Sequence, residues 1–359
     1  MKLAFRVDAS VEIGLGHAMR CLALADEAQR AGFRSVFLHR QMPSKIRNQL
    51  AEHGHETIAL PEAAPTGATG YASWLRVDQK TDADDVVRAL EAFGGADWLV
   101  CDHYGIDAEW EAVVRRQVEH IAVIDDLANR PHLCSVVIDT NGYDDFETRY
   151  DGLIPAQAAR LLGPEYAILR GEFRHLRAQP APQREEGSLL VSIGGADLPN
   201  YTRNVLNALD RLPAFNQVDV VIGAVHPDIE GIRAKCAAHG YRLHVQTPRL
   251  AELMLQASMS VGAGGTSTAE RMCLGLPSLV LVVAENQRQL VAEAGRRGDI
   301  FAPDIAPDNE AQIAQSVERL RTDPSLRHHL AKRGQALVDG LGASRIVEAL
   351  KTSRKDVGA

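Results

Sequence analysis

Short apolar runs alternate along the first half of the chain with stretches whose apolar positions recur at helical spacing. LAFRVDA, SVFLHR and ETIAL read as strands. Between them, Ala18 to Ala31 reads as a helix with Met19, Leu22, Ala23 and Leu24 on or near its buried face. SKIRNQLAEHG reads as a second helix, capped by Ser44 and closed by Gly54. The polar stretch from Pro61 to Gln79 is expected to be a loop. A helix near Asp84–Phe93 follows, then the strands WLVCDHY and HIAVIDD with the helix AEWEAVVRRQ between them, and then SVVIDT. Such alternation specifies a parallel, doubly wound sheet.

The rhythm breaks at RAQPAPQREEG, rich in proline and charge, and then restarts. SLLVSIGG, VDVVIGA, YRLHVQT, MSVGAGG and PSLVLVVAENQ read as strands, and YTRNVLNALDRL, LAELMLQA and STAERMCLG as helices. From about Asp308 onward the pattern is helical only. The expected architecture is α/β: two doubly wound, Rossmann-like parallel-sheet domains facing across a cleft, with a helical tail. Residues 1–165 form the first domain, 166–187 the linker and 188–359 the second domain with the tail. Ligands of such sheets bind beyond the carboxyl ends of the strands, so the loops that follow strands are where chemistry is sought.

Composition narrows this only slightly. The chain has 359 residues, 45% hydrophobic and 24% charged, enough to bury two cores. A formal charge of -8, from 39 basic and 47 acidic residues, offers no basic footprint for nucleic acid or anionic lipid. The five cysteines show no CxxC spacing and read as buried, reduced thiols. The first residues open a strand pattern and no apolar run reaches the ~18 residues of a membrane span, so a cytoplasmic protein, a monomer or weak dimer, is expected.

Two strand-to-helix junctions carry candidate chemistry. In IGLGHAMR, Gly14 and Gly16 open a turn and His17 stands at the mouth of a helix. The positive end of the helix dipole disfavours imidazolium there, so His17 is expected neutral and able to take a proton from water. Asp8 is placed to orient the imidazole or its loop, and Arg20 is either a phosphate contact or a surface charge. In SVGAGGTSTAERMCLGLP, Gly264 and Gly265 with Thr266 and Ser267 suit a phosphate. Glu270 either complements the helix start, as in a capping box, or accepts ribose hydroxyls. Neither the Rossmann fingerprint nor a Walker motif is present. Other strand ends add Asp102, His103 and Tyr104, then Asp125 and Asp126, Gly194, Gly195 and Asp197, and Glu285, Asn286 and Gln287. No metal-ligand spacing stands out.

Together RVDASVEIGLGHAMRCLALA, CDHYGID, VIDDLANR, SIGGAD and GAGGTSTAERMCLGLPSLVLVVAENQ resemble, in order, the UDP-sugar hydrolases of the pseudaminic acid pathway. The resemblance covers roughly residues 1–300. It implies the GT-B architecture of the glycosyltransferase MurG, with UDP-2,4-diacetamido-2,4,6-trideoxy-β-L-altropyranose as substrate and no metal or cofactor. It further implies that His17 is the catalytic base and that Tyr104 and Asn286 contact the sugar. By the same resemblance the GAGGTS loop holds the diphosphate, and Glu270 matches a ribose-binding carboxylate. The rival readings are a GT-B glycosyltransferase, a hydrolysing epimerase on the same fold, and a non-catalytic nucleotide-sugar-binding or spore-coat-type protein.

Overall fold

The computed structural model describes residues 1–64, 67–179, 184, 186–195 and 197–352. Residues 180–183 and 185 of the expected linker, Ala196 of SIGGAD, Pro65 and Thr66 of the expected loop, and the end of the tail lie outside the described residues. The chain divides into two compact units. The first comprises residues 1–141, 145–171 and the stretch from Leu341; the second comprises 142–144 and 172–340.

In the first unit, β1 (Lys2–Val7), α1 (Gly16–Arg30), β2 (Arg34–His39), α2 (Ser44–Glu52) and β3 (Glu56–Ala59) are followed by α3 (Gln79–Phe93) and β4 (Ala96–Asp102). Then come α4 (Ala108–Val114), β5 (Val118–Ile124), β6 (Val136–Asp139) and β7 (Ala159–Leu162). The seven strands lie in the order β3-β2-β1-β4-β5-β6-β7, and every pair is parallel. Strands buried on both faces need continuous apolar runs, which is why Leu3, Ala4, Phe5 and Val7 are all inaccessible. On α1, Ala18, Cys21, Leu22, Ala25 and Ala28 recur every three or four residues and bury one stripe on the sheet. Leu90 and Trp110, from α3 and α4, pack in the other core of this unit.

Three details differ from expectation. Ser44 is the first helical residue of α2 rather than its cap; Pro43 holds that position. The stretch after Pro61 contains a short 3₁₀ helix, Gly70–Leu75. Strand β7, ARLL, was not expected, because its half-exposed, four-residue run carries little periodic signal.

The second unit contains α5 (Gly171–Arg177), β8 (Ser188–Ser192), α6 (Tyr201–Leu209), β9 (Gln217–Ile222), α7 (Ile229–His239), β10 (Arg242–Val245), α8 (Leu250–Gln256) and β11 (Met259–Ala263). It continues with α9 (Ser267–Cys273), β12 (Ser278–Leu281), α10 (Arg288–Arg296), α11 (Glu310–Thr322) and α12 (Pro324–Leu337). Its parallel sheet runs β10-β9-β8-β11-β12. The last helix, α13 (Gly342–Thr352), belongs to the first unit and not, as the expected 188–359 domain has it, to the second. The reason is apolar: Ala343, Ile346, Val347 and Leu350 join the core that α1 faces. Among the described residues no helix is long and apolar enough to cross a membrane, and all five cysteines are buried and unpaired.

Candidate active site

Each sheet reverses its winding at one place, between β1 and β4 in the first unit and between β8 and β11 in the second. The crevice outside the carboxyl ends of such strands is the usual ligand site of an open α/β sheet. Both candidate junctions fall there: Asp102 ends β4 and α1 begins at Gly16, whereas SIGGAD follows β8 and GAGGTS follows β11.

In the first unit the register pairs Asp102 with Val7, so its carboxyl group emerges at the end of β1. His17, the second residue of α1, is 9% exposed, and its Nδ1 lies 2.6 Å from Asp102 Oδ1. A carboxylate at that distance requires a proton on Nδ1, so in the neutral imidazole the lone pair is on Nε2. Nε2 has no hydrogen-bond partner among the described residues. Arg20, one turn along α1, donates from Nε to Asp102 Oδ2 and from Nη2 to Oδ1, both at 2.6 Å. The Cys21 thiol donates to Oδ2 at 3.4 Å. Burial alone raises a carboxyl pKa, yet Arg20 and then His17 hold Asp102 well below the usual carboxylate range. The dyad is therefore anionic at Asp102 at any working pH.

The chain of contacts continues. Arg20 reaches Asp126 at 3.5 Å, and the Tyr104 hydroxyl donates to Asp126 Oδ1 at 2.5 Å. Burial, reinforced by Asp126, pushes the Tyr104 phenol up, so it stays protonated. Tyr104 also stands edge-on to His17, ring centroids 4.8 Å apart. Trp74, from the 3₁₀ helix, stacks on Tyr104 at 5.5 Å and meets His17 edge-on at 5.9 Å. Trp74 and its neighbour Tyr71 come from a stretch read as loop, and no periodicity could have flagged them.

Asp8 does not orient His17. It pairs with Arg6 at 2.9 Å and accepts the backbone N–H groups of Arg40 and Gln41 at 2.7 and 3.0 Å. Asp102 holds the imidazole instead. Arg20, weighed as a phosphate contact or a surface charge, is neither free nor exposed: its side chain is 10% accessible and both edges of the guanidinium are occupied. Gly14 adopts φ +83°, which only glycine takes up without strain, and Gly16 opens α1.

In the second unit the loops are built mostly of backbone. Gly194 lies at φ +142° and Gly195 has open space around it. Asp197 accepts the N–H groups of Tyr201 and Thr202 at 2.9 and 2.8 Å, capping α6. Gly264 is glycine because a Cβ would overlap Val291, and Gly265 faces Gln287 Nε2. Gln287 Oε1 accepts the Val283 N–H at 3.1 Å, tying the ENQ turn to the end of β12. Asn286 is exposed on that turn. Thr266 precedes α9 without a side-chain cap bond, so one half of the capping box weighed for Glu270 is absent; Glu270 sits in the first turn. Ser267 and Thr268 both receive hydrogen bonds from Arg271, at 3.3 and 3.0 Å. Among the described residues no group of three or more His, Cys, Asp or Glu side chains is arranged to hold a metal ion.

The two switch-point sheets and this arrangement of loops define a GT-B fold. MurG of Acinetobacter baumannii superposes with a TM-score of 0.62 at 12% identity, over 98% of this chain and 99% of that one. In sequence, the chain is similar to the UDP-2,4-diacetamido-2,4,6-trideoxy-β-L-altropyranose hydrolase of Campylobacter jejuni, at 22% identity over 303 residues, 83% of this chain and 97% of the relative. It is also similar to the spore coat polysaccharide biosynthesis protein SpsG of Bacillus subtilis, at 25% identity over 358 residues, 98% of each chain. No family model matches.

Proposed function

We propose that this protein hydrolyses a UDP-linked 2,4-diacetamido-2,4,6-trideoxy sugar of the β-L-altropyranose type without a metal, releasing UDP and the free sugar. The observation that carries the reading is the His17–Asp102 dyad at the β1/β4 switch point, with Nε2 left as an open base. Water attacks the anomeric carbon from the face opposite the diphosphate, and His17 Nε2 takes its proton. A C1–O bond to water forms as the C1–O bond to UDP breaks, so the configuration inverts and the electron pair leaves on the diphosphate. UDP is already a good leaving group, so the protein's task is to place the water and accept its proton.

Tyr104, beside the base, and Asn286 serve the sugar. Gly194, Gly195, Gly264, Gly265, Thr266 and Ser267 serve the diphosphate, Gln287 braces their loop and Glu270 serves the ribose. Arg20 acts through Asp102, as a positioning residue. The likeness to the Campylobacter hydrolase supports the substrate.

The test is His17→Ala, incubated with that nucleotide sugar and no acceptor. Turnover is expected to fall by about 10²–10⁴ while UDP affinity is kept, the usual worth of a general base. Wild-type turnover in the variant would remove His17 from the chemistry. UDP release only when an acceptor alcohol is added would make the protein a transferase.

A further inference from the structure

Arg271 is 1% exposed, and none of its hydrogen bonds goes to a carboxylate. Nη2 donates to the Ala263 carbonyl at 2.8 Å and to Thr268 Oγ1 at 3.0 Å, and Nη1 donates to Ser267 Oγ at 3.3 Å. Nε is buried without any partner. The guanidinium occupies the end of β11, under the GAGGTS loop, and the absence of a side chain at Gly262 makes room for it: a Cβ there would overlap Nη1. A buried charge in this state is costly unless something compensates it.

Other arginines of the protein show what compensation looks like. Arg6, equally buried, lies between Asp8 and Asp82, each at 2.9 Å. Arg184 donates to the carbonyls of Ala257, Leu274 and Gly275 at 2.5, 2.7 and 3.0 Å, groups that follow the carboxyl ends of α8 and α9, where the helix dipole is negative. Arg271 belongs to the last turn of α9, but its side chain runs back along the helix and sets the guanidinium among Ala263, Ser267 and Thr268 at the helix start, where no such negative end is available. Burial pulls its pKa down to about 10, against the opposing field of the neighbouring Glu270 carboxylate, which makes no hydrogen bond to the guanidinium; Arg271 is still charged at neutral pH.

We infer that Arg271 is the fixed counter-charge of the nucleotide diphosphate, acting from behind the glycine loop through its field and through the two hydroxyls it holds. This inference rests on the proposed nucleotide-sugar function. It predicts that the charge serves the phosphates and not the nucleoside. A low-dielectric setting lets a buried charge act over several ångströms.

The test is calorimetric titration of the full-length wild type, Arg271→Met, Arg271→Lys and Gly262→Ala with UDP and with uridine. Arg271→Met is expected to lose about tenfold or more in UDP affinity with uridine affinity unchanged. Arg271→Lys should recover part of the loss. Should the methionine variant fail to fold, Gly262→Ala, which displaces the guanidinium but keeps its charge, should show the same selective weakening. UDP affinity at the wild-type level in a folded Arg271→Met variant, or equal losses for UDP and uridine, would overturn the inference alone. A wild-type protein that binds no UDP would overturn the functional reading with it.

Discussion

The two units carry the same kind of sheet, reversed at the same kind of place, yet their strand ends are furnished in opposite ways. In the first unit the edge is dense with polar and charged side chains that satisfy one another: His17, Arg20, Asp102, Asp126 and Tyr104 form one linked series. In the second, the corresponding loops present glycine backbone and hydroxyls, with a buried guanidinium beneath them whose hydrogen bonds all go to hydroxyls and a carbonyl. A reacting group needs its tautomer and direction settled before substrate arrives, and ion pairs do that. A polyanion is better met by N–H groups and an uncompensated positive charge. Under the proposed function, the difference between the edges separates a region that reacts from one that binds.

Substitutions can break or sharpen this contrast. The largest effect is expected from Asp102→Asn. An amide cannot demand the proton on Nδ1, and it leaves Arg20 facing a neutral group, so kcat should drop by about 10²–10⁴ with UDP affinity unchanged. Steady-state kinetics beside UDP titration would show it; a fall in UDP affinity with kcat intact would place the dyad among the binding groups.

A smaller effect probes the exception in the first unit. Asp139, at the end of β6, is pushed up to about 7, mainly by burial, although it accepts the Asn141 backbone N–H at 3.0 Å. Its ordinary value is 3.8. Between about pH 4 and 7 the folded protein therefore holds a proton that the unfolded chain has released, and stability declines as pH rises through that window. Asp139→Asn should abolish the decline, which at ~1.4 kcal/mol per unit amounts to at most ~4 kcal/mol. Denaturation midpoints at pH 5 and pH 8 for both proteins decide this. Parallel pH dependence would mean that Asp139 is ionised in the fold like its neighbours.

Much of the architecture was legible because buried parallel strands must be apolar on both faces and their helices on one. Leu3–Phe5–Val7 and the Ala18–Cys21–Leu22–Ala25 stripe announce themselves in the sequence alone. Strand β7 and helix α13 were harder: the first is short and half exposed, and nothing local in the second says which core its stripe will join. The site divides in the same manner. His17 and the glycine loops were visible because a histidine and glycines at strand–helix junctions are locally odd. That Asp102 rather than Asp8 holds the imidazole depends on strand register, since both aspartates end strands and only the pairing of Val7 with Asp102 selects one. Trp74 lay beyond reach because its partners His17 and Tyr104 are distant in the chain, and Arg271 because an arginine on a helix gives no local sign that its charge is buried.

The central claim is that water is activated by His17 and attacks carbon, not phosphorus. Turnover of the UDP-linked diacetamido-trideoxy sugar in ¹⁸O-water, without acceptor, followed by mass spectrometry of both products, tests it directly. The account predicts that the label appears in the anomeric hydroxyl of the released sugar and that UDP carries none. Label in the nucleotide product would place the attack on phosphorus and contradict it.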